Sequence, residues 1–200
     1  MIKTIALLLI ALMGVSPFNW ADDSKNNTEN PRVRMETTLG TIILELDKKA
    51  APKTVENFLA YAENGFYKGT LFHRVIKGFM IQGGGLDERM ERKPTRDPIL
   101  NEADNGLKNH AGTIAMARTD SPHTATSQFF INTADNDSLD HRNKTSRGYG
   151  YCVFGKVVEG MDVVRKIENV ATITRAGRND VPIDLVLIKQ VVIEEKKLSP

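Results

Sequence analysis

Polar and apolar positions alternate from Arg32 onward: Val33, Met35 and Thr37 are interleaved with Arg32, Arg34 and Glu36, the period of a strand with one face buried. Leu39-Gly40 marks a turn, and Thr41 to Asp47 returns with Ile42, Leu44 and Leu46 on one face. The period then changes. Pro52 suits a helix's first turn, Val55, Phe58, Leu59 and Ala62 fall at helical spacing, and Gly65 is the stop. Leu71 to Gly85 reads as two short strands around a Lys77-Gly78 turn. Leu86 to Pro98, charged and broken by Pro94 and Pro98, predicts a mobile loop bordering the active face, and Asn101 to Gly106 is turn chemistry. Strands are expected over Thr113–Thr119, Ser127–Thr133, Tyr151–Val158 and Asp184–Glu194, with Asp135 to Gly150 irregular. Val163, Val164, Ile167 and Val170 give a second amphipathic helix starting near Met161. Strands with two separated helices and no βαβ alternation argue for a mainly β fold, an antiparallel barrel with helical lids.

The N-terminus stands apart from this pattern. Lys3 opens a short apolar run from Ile5 to Val15, followed by a more polar exit to Ala21, the layout of a secretory signal peptide cleaved near Ala21. The run is shorter than the ~20 apolar residues of a membrane span. An uncleaved signal anchor is the alternative. Residues 22–31 read as a flexible tether, 32–195 as one domain and 196–200 as a tail. The expected location is therefore periplasmic or secreted, with no stable membrane association after cleavage.

Lys3 is the leader's only charged side chain, so 27 basic residues become 26 against 25 acidic in the mature chain. That balance gives no electrostatic case for nucleic acid. Cys152 is the only cysteine, so no internal disulfide can form, and its neighbours Tyr151, Val153 and Phe154 suggest a buried strand thiol. The histidines at 73, 110, 123 and 141 show no ligand spacing, and neither a metal nor a cofactor is expected.

The residue that needs explaining is Arg74. A permanently charged fork sits between Phe72-His73 and Val75, with Phe79, Met80 and Gln82 close behind. Buried charge is costly unless paired or used. An edge-strand arginine with its tip in water would satisfy the same pattern, and this stretch alone does not decide between them.

The stretch F-H-R-V-I-K-G-F-M-I-Q-G-G, followed by A-M-A-R and then S-Q-F-F-I, resembles the cyclophilin-type peptidyl-prolyl isomerases. The resemblance runs from about Val33 to Glu194, is closest to bacterial members, and implies a closed eight-stranded antiparallel β-barrel capped by two α-helices. It also implies a likeness in chemistry: rotation about X-Pro bonds of flexible polypeptide segments, by a monomer. By that resemblance Arg74 is the catalytic donor, and Gln82 hydrogen-bonds Arg74 or the substrate backbone. Phe79, Met80, Phe130 and Leu139 match the proline pocket, although each is ordinary core material by itself. Ala117 and Arg118 match main-chain contacts, Gln128 a substrate-facing polar position, and Tyr151 a flat wall where many eukaryotic members carry histidine. Arg118 stands where asparagine is common. Ser138 replaces the aromatic residue before the pocket leucine, a tryptophan that packs on cyclosporin in many members of the family.

A Ser127–His123–Asp120 triad is discounted, since these residues are too close in sequence and no G-x-S-x-G elbow exists. The serious competitor is a prolyl-peptide-binding chaperone with incidental isomerase activity. Arg74 and Gln82 favour the enzyme, and the thinned pocket at Ser138 favours the competitor.

Overall fold

The computed structural model describes residues 30–194. The leader expected over residues 1–21, nearly all of the tether expected over 22–31 and the tail expected over 196–200 lie outside the described residues. Strands β1 (Arg32–Thr37) and β2 (Gly40–Leu46) form the first hairpin, and Val33, Met35, Ile42, Leu44 and Leu46 are completely buried. After helix α1 (Pro52–Glu63) come β3 (Thr70–Ile76), β4 (Met80–Gly83), β5 (Thr113–Met116), β6 (Phe129–Asn132) and β7 (Val153–Glu159). Helix α2 (Met161–Glu168), a hairpin of β8 (Thr172–Arg175) and β9 (Arg178–Pro182), and β10 (Val186–Ile193) complete the chain.

Eight strands close in the order β1-β10-β3-β4-β6-β5-β7-β2, every neighbouring pair antiparallel. Closure leaves the barrel no unpaired edge. The interior is filled by side chains: Phe58 of α1 meets Tyr67, Phe129 and Phe154 with ring centroids 5.0–5.7 Å apart. Val163, Val164 and Ile167 of α2 belong to the same cluster. Helix α1 starts without a side-chain cap of its own. Instead the Glu102 carboxylate, from the Asn101–Gly106 turn, accepts the N–H groups of Lys53 (3.1 Å) and Thr54 (2.8 Å). An anion at a helix N-terminus satisfies orphan donors and meets the positive end of the helix dipole.

Three differences from the sequence reading bear on the site. β5 and β6 are shorter than expected, because beyond Met116 and before Phe129 the two chains part. Ala117 N–H to Gln128 O (2.9 Å) is the last rung. The Leu86–Pro98 loop, expected as a bare connection, carries hydrogen bonds of its own. Asp87 Oδ1 accepts the N–H groups of Arg89 and Glu91 (both 3.0 Å), and Lys93 Nζ donates to Phe66 O. The third is the β8–β9 hairpin, where no element was expected. It stands outside the barrel as a separate two-stranded sheet.

Candidate active site

The barrel wall is built so that one arginine faces out of it. In β3, Phe72 and Val75 both belong to the interior cluster although three positions apart, which regular alternation forbids. A register shift between Phe72 and Arg74 resolves this: His73 is the extra residue of a β-bulge opposite β4. Without it Arg74 would point into the barrel. With it, Arg74 pairs with Gln82, Gln82 with Phe130, Phe130 with Ala115, and Ala115 with Val153. These five lie in one row across β3, β4, β6, β5 and β7, on the outer face.

Met80, Ala115, Phe130 and Val153 form a small apolar cluster separate from the interior, with Phe79, Ala117, Leu139 and Tyr151 packed around it. Phe130 and Tyr151 meet edge-on, centroids 5.6 Å apart. The pocket's rim is held by hydrogen bonds to backbone carbonyls. Tyr151 N–H donates to Leu139 O (2.9 Å), Thr133 N–H to Phe79 O (3.0 Å), and the Asn136 side chain to Phe79 O (2.8 Å). Behind the rim, Asp140 accepts from the Asn109 backbone (2.8 Å) and side chain (3.1 Å). Burial works against the Asp140 charge, but these donors and the Lys108 ammonium hold its carboxyl below the usual carboxylate range.

All the residues singled out in the sequence, Arg74, Gln82, Phe79, Met80, Ala117, Arg118, Gln128, Phe130, Leu139 and Tyr151, line one groove of about 610 Å³. Gln82 lies beside Arg74 in register, and its Nε2 donates to Gln128 Oε1 (3.1 Å). Room for Gln128 comes from the glycine run: a Cβ on Gly85 would collide with the Gln128 side chain. Gly84 adopts φ +78°, and a Cβ there would sit 2.7 Å from the Phe129 ring. Ala117 spends its N–H on the ladder, so its carbonyl is what its main chain can offer a ligand.

Arg118 does more than a main-chain contact. Its guanidinium donates to the carbonyls of Gly150 (2.9 Å), Thr119 (2.8 Å), Asp120 (3.2 Å) and Ser146 (3.1 Å), and lies 4.7 Å from the Tyr151 ring centroid. It ties two loops and the pocket wall together, a role for which carbonyl partners leave no trace in sequence. Ser138 is exposed in the short 3₁₀ turn Asp137–Leu139; its neighbour Leu139 lines the groove.

The sequence reading missed the far wall. Gly177, Arg178, Asn179 and Asp180 of the hairpin line the groove, with Arg92, Thr119, Thr124 and Thr126. Asp180 Oδ2 lies 3.7 Å from Arg74 Nε. His73, buried beneath Arg74, has its pKa lowered to about 4, first by desolvation and then by Arg178, Arg74 and Arg92. His123 is not poised as a base, since its Nδ1 accepts the Asn101 N–H (3.1 Å).

Residues 32–193 match the family described as cyclophilin type peptidyl-prolyl cis-trans isomerase/CLD. Over 161 residues the chain is 56% identical to a peptidyl-prolyl cis-trans isomerase of Streptomyces antibioticus, covering 80% of this chain and 97% of that one. It is 53% identical over 163 residues to peptidyl-prolyl cis-trans isomerase B of Escherichia coli, covering 82% and 99%. A cyclophilin-type isomerase of Cryptosporidium parvum, solved in the presence of the dipeptide Ala-Pro, superposes with a TM-score of 0.68 at 31% identity, covering 82% of this chain and 99% of that one. The chain belongs to the cyclophilin-type peptidyl-prolyl cis-trans isomerases.

Proposed function

We propose that this isomerase acts on X-Pro bonds of exported polypeptides and that Arg74 carries the chemistry. Rotation about such a bond breaks amide resonance, a barrier of ~20 kcal/mol, although the two planar forms are nearly isoenergetic. No covalent bond is made. Catalysis consists of binding the twisted amide better than the planar one. In the twisted form the proline nitrogen recovers its lone pair and becomes a hydrogen-bond acceptor. A fixed, permanently protonated donor beside the proline then favours that form alone.

The observation that carries this reading is the row across the barrel, which sets Arg74 and Gln82 beside the apolar cluster of Met80 and Phe130. The cluster would hold the proline ring while the preceding residue rotates. Gln82 and Gln128, already bonded to each other, and the Ala117 carbonyl would fix the substrate backbone. The Ala-Pro dipeptide used with the Cryptosporidium parvum relative is a ligand of the class this site would take. The leader-like pattern of residues 1–21, a lysine and a short apolar run before a polar exit, supports action on exported proteins in the periplasm or outside the cell.

A protease-free isomerisation assay on a short X-Pro peptide tests the reading. Arg74→Ala should lower kcat/KM by roughly 10²-fold or more, the scale of losing one transition-state donor. Arg74→Lys should recover part of it, since a point charge lacks the planar fork. Wild-type turnover in the alanine variant would overturn the assignment of the chemistry to Arg74. N-terminal sequencing of the exported protein tests the location: a start near Asp22 supports it, an intact Met1 opposes it.

A further inference from the structure

We propose that Asp180, carried on the hairpin outside the barrel, is the positioning residue for Arg74. Its carboxylate holds the Nε edge of the guanidinium so that the remaining N–H groups face the substrate amide. This inference rests on the reading of Arg74 as the transition-state donor.

Three observations converge on it. Asp180 is the one carboxylate among the described residues lining the groove, and Oδ2 lies 3.7 Å from Arg74 Nε. The hairpin is shaped to deliver it. Ile173 pairs with Val181 and Arg175 with Arg178, so Thr174 alone faces both Asn179 and Asp180. Two residues against one is a β-bulge, a device that re-aims a side chain. Asp180 takes φ 60°, a left-handed conformation that L-residues adopt at a cost, and its neighbour Val181 is completely buried. A plain surface aspartate needs no such backbone.

Finally, the Gln82 side chain donates to Gln128, while Asp180 is the acidic group that sits against the Arg74 guanidinium among the described residues. Arg74 is 43% exposed. A long side chain at that exposure samples several rotamers unless one edge is held, and a donor acts on a developing lone pair only when aimed. The planar fork suits this division, one edge to the carboxylate and the other to the substrate. An exposed ion pair adds little to stability, so the contribution belongs to orientation and not to folding.

The test uses the whole protein in the same peptide assay. Asp180→Asn and Asp180→Gly both tolerate the left-handed backbone, and neither should shift Tm. Each should lower kcat about two- to fivefold, the range an exposed ion pair can carry, with KM little changed. In an Arg74→Lys background, where no Nε edge exists, the same substitutions should cost nothing further. Raising salt to about 1 M should bring wild type toward the variants, because the pair is screened. Wild-type kcat in Asp180→Asn and Asp180→Gly, with Arg74→Ala impaired, overturns the inference alone. An equal loss in the Arg74→Lys background also overturns it, placing the effect in the hairpin. Full activity of Arg74→Ala removes the reading of Arg74 and this inference together.

Discussion

The two faces of one sheet, β3-β4-β6-β5, share one alternation, reset once by the His73 bulge, and end in opposite uses. Inward, Phe72, Val75, Ile81, Ile114, Phe129 and Ile131 are at most 2% exposed and meet the rings and helices that fill the barrel. Outward, Arg74, Gln82 and Phe130 line the groove, with the buried Ala115 next in the same row. A closed barrel is stabilised from inside, so its outer wall can present an arginine and a small apolar pocket without weakening the core. Rigidity of the inner face is what keeps the outer donors in place.

Adjacent residues test this division most sharply. Phe129 is completely buried against Phe58, Tyr67 and Phe72. Phe129→Ala should cost about 3–5 kcal/mol by leaving a closed cavity. Phe130→Ala opens onto the groove, where water can enter, so its stability loss should be clearly smaller while KM for an X-Pro peptide rises. Denaturant melts with the activity assay check both. Equal destabilisation by the two would show that the outer cluster is core after all.

His73 sits at the seam between the faces. Burial, and then three arginines, lower its pKa to about 4, against a carbonyl of Leu71 that opposes the shift. An unfolded histidine titrates near 6.5. Between those values the unfolded chain takes up a proton that the folded one refuses, so stability rises with pH. Acidification from about pH 6.5 to 4 should therefore remove on the order of 3 kcal/mol, with no further loss from this group below that. His73→Gln should flatten the slope in that window. A slope unchanged in the variant would assign it to other groups.

Arg74→Ala should separate the faces kinetically: a loss of roughly 10²-fold in kcat/KM with Tm close to wild type. Its ion pair with Asp180 is exposed at both ends, 43% and 39%, and such pairs contribute little to folding. A large fall in Tm would mean that Arg74 also holds the hairpin to the barrel.

The inner face was legible in sequence and the outer one only partly so. Ile42, Leu44 and Leu46 announce their strand because burial selects apolar residues at every second position. Phe130 and Met80 look like core by the same rule, and only the resemblance assigned them to a pocket. The His73 bulge, which turns Arg74 outward, has no compositional mark. The hairpin escaped for a physical reason: Thr172, Ile173 and Thr174 are all exposed, so the period-two signal of a half-buried strand is missing. Its one cue was Ala176-Gly177, both left-handed at φ 50° and 70°, as a tight hairpin turn requires. Arg118 was read through its main chain, because the carbonyls it binds carry no residue identity.

The smallest expected effect concerns the open end of the outer face. Leu139 lines the groove, but Ser138 beside it is exposed and offers only a short hydroxyl. By the resemblance, an aromatic residue here would extend the pocket wall and, as tryptophan, donate an indole N–H to bound cyclosporin. Burying an aromatic side chain is worth about 1.5–3 kcal/mol, so its lack together with a hydrogen bond should cost at least ~10-fold in affinity for the drug. A short X-Pro peptide depends instead on Arg74, Gln82 and the slot of Phe79, Met80, Phe130 and Leu139, and should turn over normally. The protein is thus expected to be an active isomerase weakly inhibited by cyclosporin, with Ser138→Trp gaining sensitivity at unchanged kcat/KM. Titrating both forms against one substrate checks this. Nanomolar-scale inhibition of the unmodified protein would mean that the outer face is already complete and that another side chain supplies the wall.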